Sequence, residues 1–92
     1  MIVRTRTAGQ SGPQGVETTP SIPVGAQDVV LTWVRPFSDA AYAAFPSIFG
    51  GPDTLTVVGV VAQTATTCTV RVLNAGLTTI TDAKVKVLGI EV

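Results

Sequence analysis

The chain contains no histidine. A Ser-His-Asp or Cys-His unit therefore cannot be assembled within it, since each needs an imidazole to take the nucleophile's proton. Cys68 is the only cysteine. It stands in Thr66-Thr67-Cys68-Thr69-Val70 with no cation nearby to favour the thiolate, and reads as a buried, inert thiol. One cysteine without histidine is also too little for a zinc or haem site, and it cannot close a disulfide within the chain. The six carboxylates are Glu17, Asp28, Asp39, Asp53, Asp82 and Glu91. The four aspartates fall at turns and strand edges, where the side chain bonds to local backbone. A glycosidase pair would have to face each other across a cleft, and a calcium loop would bring Asp and Asn at close alternating spacing, which the sequence lacks. Gly50-Gly51-Pro52 lacks the lysine and the strand-loop-helix setting of a phosphate loop. The expectation is a protein that is not an enzyme and holds no cofactor or metal.

Binding chemistry is the alternative. Six basic residues balance six acidic ones, which argues against nucleic acid and against attraction to an anionic membrane. Arg4 with Arg6, and Lys84 with Lys86, are small cationic pairs that could meet carboxylates of another subunit in salt-sensitive contacts. The longest apolar run, 57–62, is far too short to span a bilayer. Residues 1–6 hold no apolar stretch of signal-peptide length, so the chain reads as a leaderless product made in a cytoplasm. All five aromatic residues, Trp33, Phe37, Tyr42, Phe45 and Phe49, lie within seventeen positions. Core is the favoured reading, because these rings are the largest areas the chain can bury. The sharper one is a sugar-stacking surface or an interface hot spot.

The elements that must position these residues are strands. Residues 1–7 alternate, with Val3, Thr5 and Thr7 on one side and Ile2, Arg4 and Arg6 on the other, a short strand that could pair with its own body or with a neighbouring subunit. Residues 8–27 carry Gly9, Gly12, Pro13, Gly15, Pro20 and Pro23, which exclude a helix or a central strand. They read as an extended arm, so the division expected is an arm over 1–27 and a β-sandwich over 28–92. Strands are expected at 29–34, ended by Pro36, at 54–63 with a bulge at Gly59, at 68–74, at 77–81 and at 83–92, with turns at 50–53, 64–67 and 74–76. Residues 38–49 fit either a short helix capped by Ser38 or Asp39 or a strand through Tyr42 and Phe45 to Ile48. Short strands punctuated every eight to twelve residues indicate an all-β antiparallel sandwich of jelly-roll type. The run 55–62 is β-prone, uncharged and free of proline. It should therefore lie centrally in a sheet or be paired across a subunit interface.

With 92 residues, 46% apolar and only 13% charged, the chain is a single small domain with a marginal core. Its charge falls well below the globular average of about 25%. Copies of itself are the remaining device for covering apolar surface. The rhythm Val24-Gly25-Ala26-Gln27, Arg35-Pro36-Phe37, Tyr42…Phe45-Pro46-Ser47, Thr64-Ala65-Thr66-Thr67-Cys68-Thr69-Val70 and Val85-Lys86-Val87-Leu88-Gly89-Ile90 resembles small β-sandwich modules of tailed-bacteriophage particles, similar in layout to H-type lectin domains. The resemblance covers about two-thirds of the chain. It departs from the family pattern at Thr67-Cys68, where a Gly-aromatic pair is usual, and it carries over no sugar-binding residue. It implies a strand from about Tyr42 to Ile48, and a homotrimer or larger ring in a virion. The function expected is a structural capsid decoration or cement protein contacting itself and the major capsid or other virion proteins. The alternative is a tail, fibre or head-spike module binding a host glycan. The candidate interface residues are Arg4, Arg6, Pro20, Ile22, Pro23, Trp33, Tyr42 and Phe45.

Overall fold

The computed structural model describes residues 13–91. It is an all-β antiparallel sandwich of six strands: β1 (Gln14–Thr18), β2 (Gly25–Thr32), β3 (Tyr42–Phe49), β4 (Leu55–Gln63), β5 (Thr67–Asn74) and β6 (Lys84–Glu91). They form two three-stranded sheets, one ordered β1-β6-β3 and the other β2-β5-β4. The last strand in sequence is thus the centre of the first sheet, and β5 is the centre of the second.

Period-two alternation sorts the side chains. Val85, Val87 and Gly89 of β6 point inward with Cys68, Val70 and Val72 of β5, and all six are buried. Val29 and Leu31 of β2, with Ile22, Ile80 and Ala83 from the connections, complete the interior. Each such Val, Leu or Ile contributes about 1.5–3 kcal/mol by leaving water, before the entropy of ordering the chain is subtracted. Ile22 and Ile80 exchange both backbone hydrogen bonds at 2.8 and 2.9 Å. The strand expected at 77–81 is therefore this single bridge, because Asn74 ties the loop down instead. Its Nδ2 donates to the carbonyls of Ile22 and Thr78, and its Oδ1 accepts from the Gly76 amide.

The arm boundary at residue 27 moves. β1 pairs with β6 from Gln14 to Thr18, Ile22 is completely buried, and β2 begins at Gly25. Residues 14–27 thus belong to the sandwich. Gly15 and the nearby prolines are tolerated because β1 is an edge strand and the prolines fall between strands. The part of the arm over residues 1–12, and the strand expected at 1–7, lie outside the described residues.

The second correction concerns β4. Of the two placements expected for 55–62, the central one is overturned: β4 is an edge strand, paired among the described residues only with β5. Register shifts fall between Val57 and Gly59 and between Val60 and Ala62, and Gly59 takes φ +153°. The expected bulge at Gly59 is therefore present, with a second beside it. Two bulges twist the edge away from straight pairing, which is how an uncharged edge strand is kept from templating another.

Candidate interaction surface

The five aromatic residues divide into two groups. Trp33 and Phe37 leave the end of β2 in a segment that hydrogen-bonds to the 64–67 turn, Trp33 N to Thr66 O and Phe37 N to Ala65 O. Pro36 keeps this segment from continuing the strand. Both rings fold over the open end of the sandwich and meet Tyr42 at the start of β3. Trp33 stands edge-on to Phe37 and to Tyr42, at centroid distances of 5.0 and 5.4 Å, while Phe37 stacks on Tyr42 at 4.3 Å. Gly89 lies beneath, and a Cβ there would stand 2.6 Å from Trp33 and 2.8 Å from Phe37.

Polar atoms lock this triad. Trp33 Nε1 donates to the Tyr42 hydroxyl at 2.9 Å. The hydroxyl in turn donates to the Thr67 carbonyl at 2.7 Å, with the Thr64 carbonyl at 2.9 Å. Burial pushes the Tyr42 phenol above its ordinary pKa, and burial likewise raises the Cys68 thiol. Gln63 Nε2 donates to the carbonyls of Ala40 and Tyr42. Each group is explained by the fold, and none is left to act on a ligand.

Phe45 and Phe49 take the other face of β3. Its alternation puts Tyr42 inward, so Phe45, Ser47 and Phe49 point out. Pro46 sits at mid-strand without a backbone donor, which β3 tolerates as an edge strand. Phe45 pairs with Leu88 across the sheet, Ala43 with Ile90, and Ser47 with Lys86. Phe45 and Phe49 are 54% and 51% exposed, Leu88 39% and Ile90 36%, so the outside of the β1-β6-β3 sheet carries an apolar stripe, crossed between the two phenylalanines by Ser47 and Lys86. A shallow groove of about 320 Å³ runs over Ser47 between the two phenylalanine rings, with Lys86 and Leu88 on its flank. Lys86 Nζ lies 5.9 Å from the centre of the Phe49 ring, a cation–π contact.

The outside of the other sheet differs. It carries Val30, Thr32, Thr69 and Leu73 around an ion pair, Arg71 to Asp28, made by two bonds of 2.8 and 3.2 Å. That hydrogen bond holds the Asp28 carboxyl below its ordinary value. It is the one ion pair within 4 Å among the described residues. Lys84, Lys86 and Glu17 on the aromatic face have no such partner there.

Against the expected interface residues, Phe45 alone stands on this surface. Ile22, Trp33 and Tyr42 are 0%, 4% and 5% exposed and belong to the core. Ile22 is drawn in by its bridge to Ile80, and the rings by their packing over Gly89. Pro20 is half-buried and Pro23 exposed, both between β1 and β2. Arg4 and Arg6 lie outside the described residues. The stripe also includes Phe49, Leu88 and Ile90, whose signal was present. The alternation of 83–92 sets Leu88 and Ile90 on one side with Lys84 and Lys86, and the pairing with β3 adds the phenylalanines. Among the described residues, no three His, Cys, Asp or Glu side chains gather as metal ligands. Comparison with protein-family models, with curated proteins and with solved structures found no match.

Proposed function

We propose that the chain is a non-enzymatic structural protein of a virus particle, a capsid decoration or cement protein that self-associates through the outer face of its β1-β6-β3 sheet. The observation that carries this reading is the apolar stripe of Phe45, Phe49, Leu88 and Ile90. From the exposures of its side chains the stripe amounts to roughly 300 Å², the size at which the largest patch of a monomer is often functional. Covering this stripe by other copies would remove it from water on every subunit of the assembly. The low charge of the chain and its resemblance to phage sandwich modules favour a shell component. Multiple weak contacts in a shell reinforce one another.

The test is solution mass by light scattering over a dilution series. The wild-type chain is expected to be a trimer or larger ring at micromolar concentration, and Phe45→Lys to be a folded monomer. A wild-type monomer throughout would overturn the reading. A second reading, glycan binding, is favoured by the groove, since two exposed rings beside Ser47 and Lys86 combine stacking surface with hydrogen-bond donors. A monomer that binds an immobilised glycan array, and loses binding with Phe49→Ala, would establish that reading instead.

A further inference from the structure

Leu77 is the most exposed large apolar side chain among the described residues, at 96%. It stands in the loop between β5 and β6, and that loop is tied down on both sides of it. The Gly76 amide donates to Asn74 Oδ1 at 3.0 Å, and the Thr78 carbonyl accepts from Asn74 Nδ2 at 2.9 Å. Asn74 itself is 1% exposed. The Ala75 amide donates to the Thr54 carbonyl at 2.9 Å, and Ile80 is bridged to Ile22. A leucine held in water by an ordered loop is a preformed knob, because the freedom that binding would remove from the loop is already lost in folding.

The groove on the outer face of the β1-β6-β3 sheet has room for such a knob. Phe45 and Phe49 are four positions apart on β3, about 13 Å. Their rings bound the groove over Ser47, with Lys86 and Leu88 beside it. The gap suits one aliphatic side chain between two apolar walls. A chain's own Leu77 stands in water, so it is not the occupant.

Charge matches as well. The loops 19–24, 50–54 and 75–82 meet at one end of the sandwich, through the Ile22–Ile80 bridge and the bond from Ala75 to Thr54. They carry Asp53 and Asp82 and no basic residue. The groove lies beside Lys86, with Lys84 two positions away on the same side of β6. Glu17 is opposite Lys86 in the register with β1. Glu91 has the other parity and lies at the far end of β6, where it accepts from the Ser38 amide. The outward charges of this sheet are therefore net positive. Asp53, Asp82, Lys84 and Lys86 are in no ion pair within 4 Å among the described residues. Opposite charges beside knob and groove fix the orientation of a contact more than its strength.

We infer that Leu77 of one copy inserts between Phe45 and Phe49 of the next, with Asp53 and Asp82 turned toward Lys84 and Lys86. The inference rests on self-association through this sheet face and names what enters it. Knob and groove are different surfaces, one at the end of the sandwich and one on its flank. The contact is thus head-to-tail and closes into a ring or extends as a chain.

Two variants, each lacking one half of the contact, test it. Leu77→Asp loses the knob and keeps the groove, whereas Phe45→Lys keeps the knob and loses the groove. At 96% and 54% exposure, both positions should tolerate the change. Light scattering is expected to show each variant as a monomer at a concentration where the wild-type chain is assembled. Isotope-labelled Phe45→Lys titrated with unlabelled Leu77→Asp should then show amide shifts centred on residues 75–80, because one intact knob meets one intact groove. No such shifts, or a Leu77→Asp chain that assembles like wild type, overturns the inference and leaves self-association through the face standing. A wild-type chain that is itself a monomer overturns both. If Phe45→Lys does not fold, Leu77→Asp decides alone: a monomer supports the contact, and an assembly overturns it.

Discussion

The five aromatic side chains are neighbours in sequence, yet they do opposite things. Trp33, Phe37 and Tyr42 pack ring to ring over Gly89 and have every polar atom bonded. Phe45 and Phe49 stand half out of water beside Lys86, which is in no ion pair within 4 Å among the described residues. The boundary between the groups falls inside one strand, β3, where a change of parity moves a ring from the interior to the surface. Ring chemistry alone therefore does not tell a core aromatic from a docking one. What separates them is whether the ring's neighbours are complete without a second molecule.

The largest effects should come from the complete group. Trp33→Ala removes a ring that both other aromatics touch and is expected to cost about 3–5 kcal/mol. Gly89→Ala forces a methyl against Trp33 and Phe37 and should cost about 1–3 kcal/mol. Urea unfolding measures both. If either variant proved as stable as wild type, the triad would not be the keystone of that end of the sandwich. Tyr42→Phe is subtler. It keeps the stacking on Phe37 but leaves Trp33 Nε1 without an acceptor, while the Thr67 carbonyl loses one of its two donors and keeps the Thr64 amide. A loss of about 1–3 kcal/mol is expected for buried groups left unpaired.

The architecture was largely legible in the sequence, because alternation and turn residues determine strands locally. β3, β4, β5 and β6 fall close to their expected spans, and Gly59 marks a bulge. What was not legible depends on partners far along the chain. Gln14–Thr18 looks too glycine- and proline-flanked for a strand, yet it pairs with β6 some seventy residues away in sequence. Ile22, between two prolines, reads as part of an arm until Ile80 supplies its bridge. β4 reads from its composition as central or as paired across a subunit interface, and only the two register breaks show how an edge position is made safe. The docking stripe was half legible. Each strand showed its own alternation, but which face of β3 lies beside which face of β6 is a matter of register.

The same comparison has a pH signature. Burial raises the phenol of Tyr42 above 10.0 and the thiol of Cys68 above 9.0, their ordinary values. A group with a raised folded pKa contributes stability that is fully present below its unfolded pKa and is lost as pH rises through the folded one. The chain should accordingly keep full stability up to about pH 9 and lose it progressively at higher pH as both groups are forced to ionise. A melting series from pH 7 to 11 checks the sign. In Tyr42→Phe the alkaline loss should shrink to the part due to Cys68, and an unchanged loss would show that the buried phenol is not its source.

The smallest effects belong to the incomplete group, and there they discriminate. Phe45→Ser removes a half-exposed ring with no polar partner, so monomer stability should stay within about 0.5 kcal/mol of wild type. Phe49→Ser also removes the ring under Lys86, and an exposed cation–π contact is worth about 0.5–1 kcal/mol. At 5.9 Å the geometry is at the outer limit, so Phe49→Ser should be slightly the more costly of the two. Urea midpoints taken at a dilution where the wild-type chain has dissociated measure this difference. A loss of several kcal/mol at either position would place that ring with the core triad, and the outer face of the β1-β6-β3 sheet would then be structural rather than a surface kept for a partner.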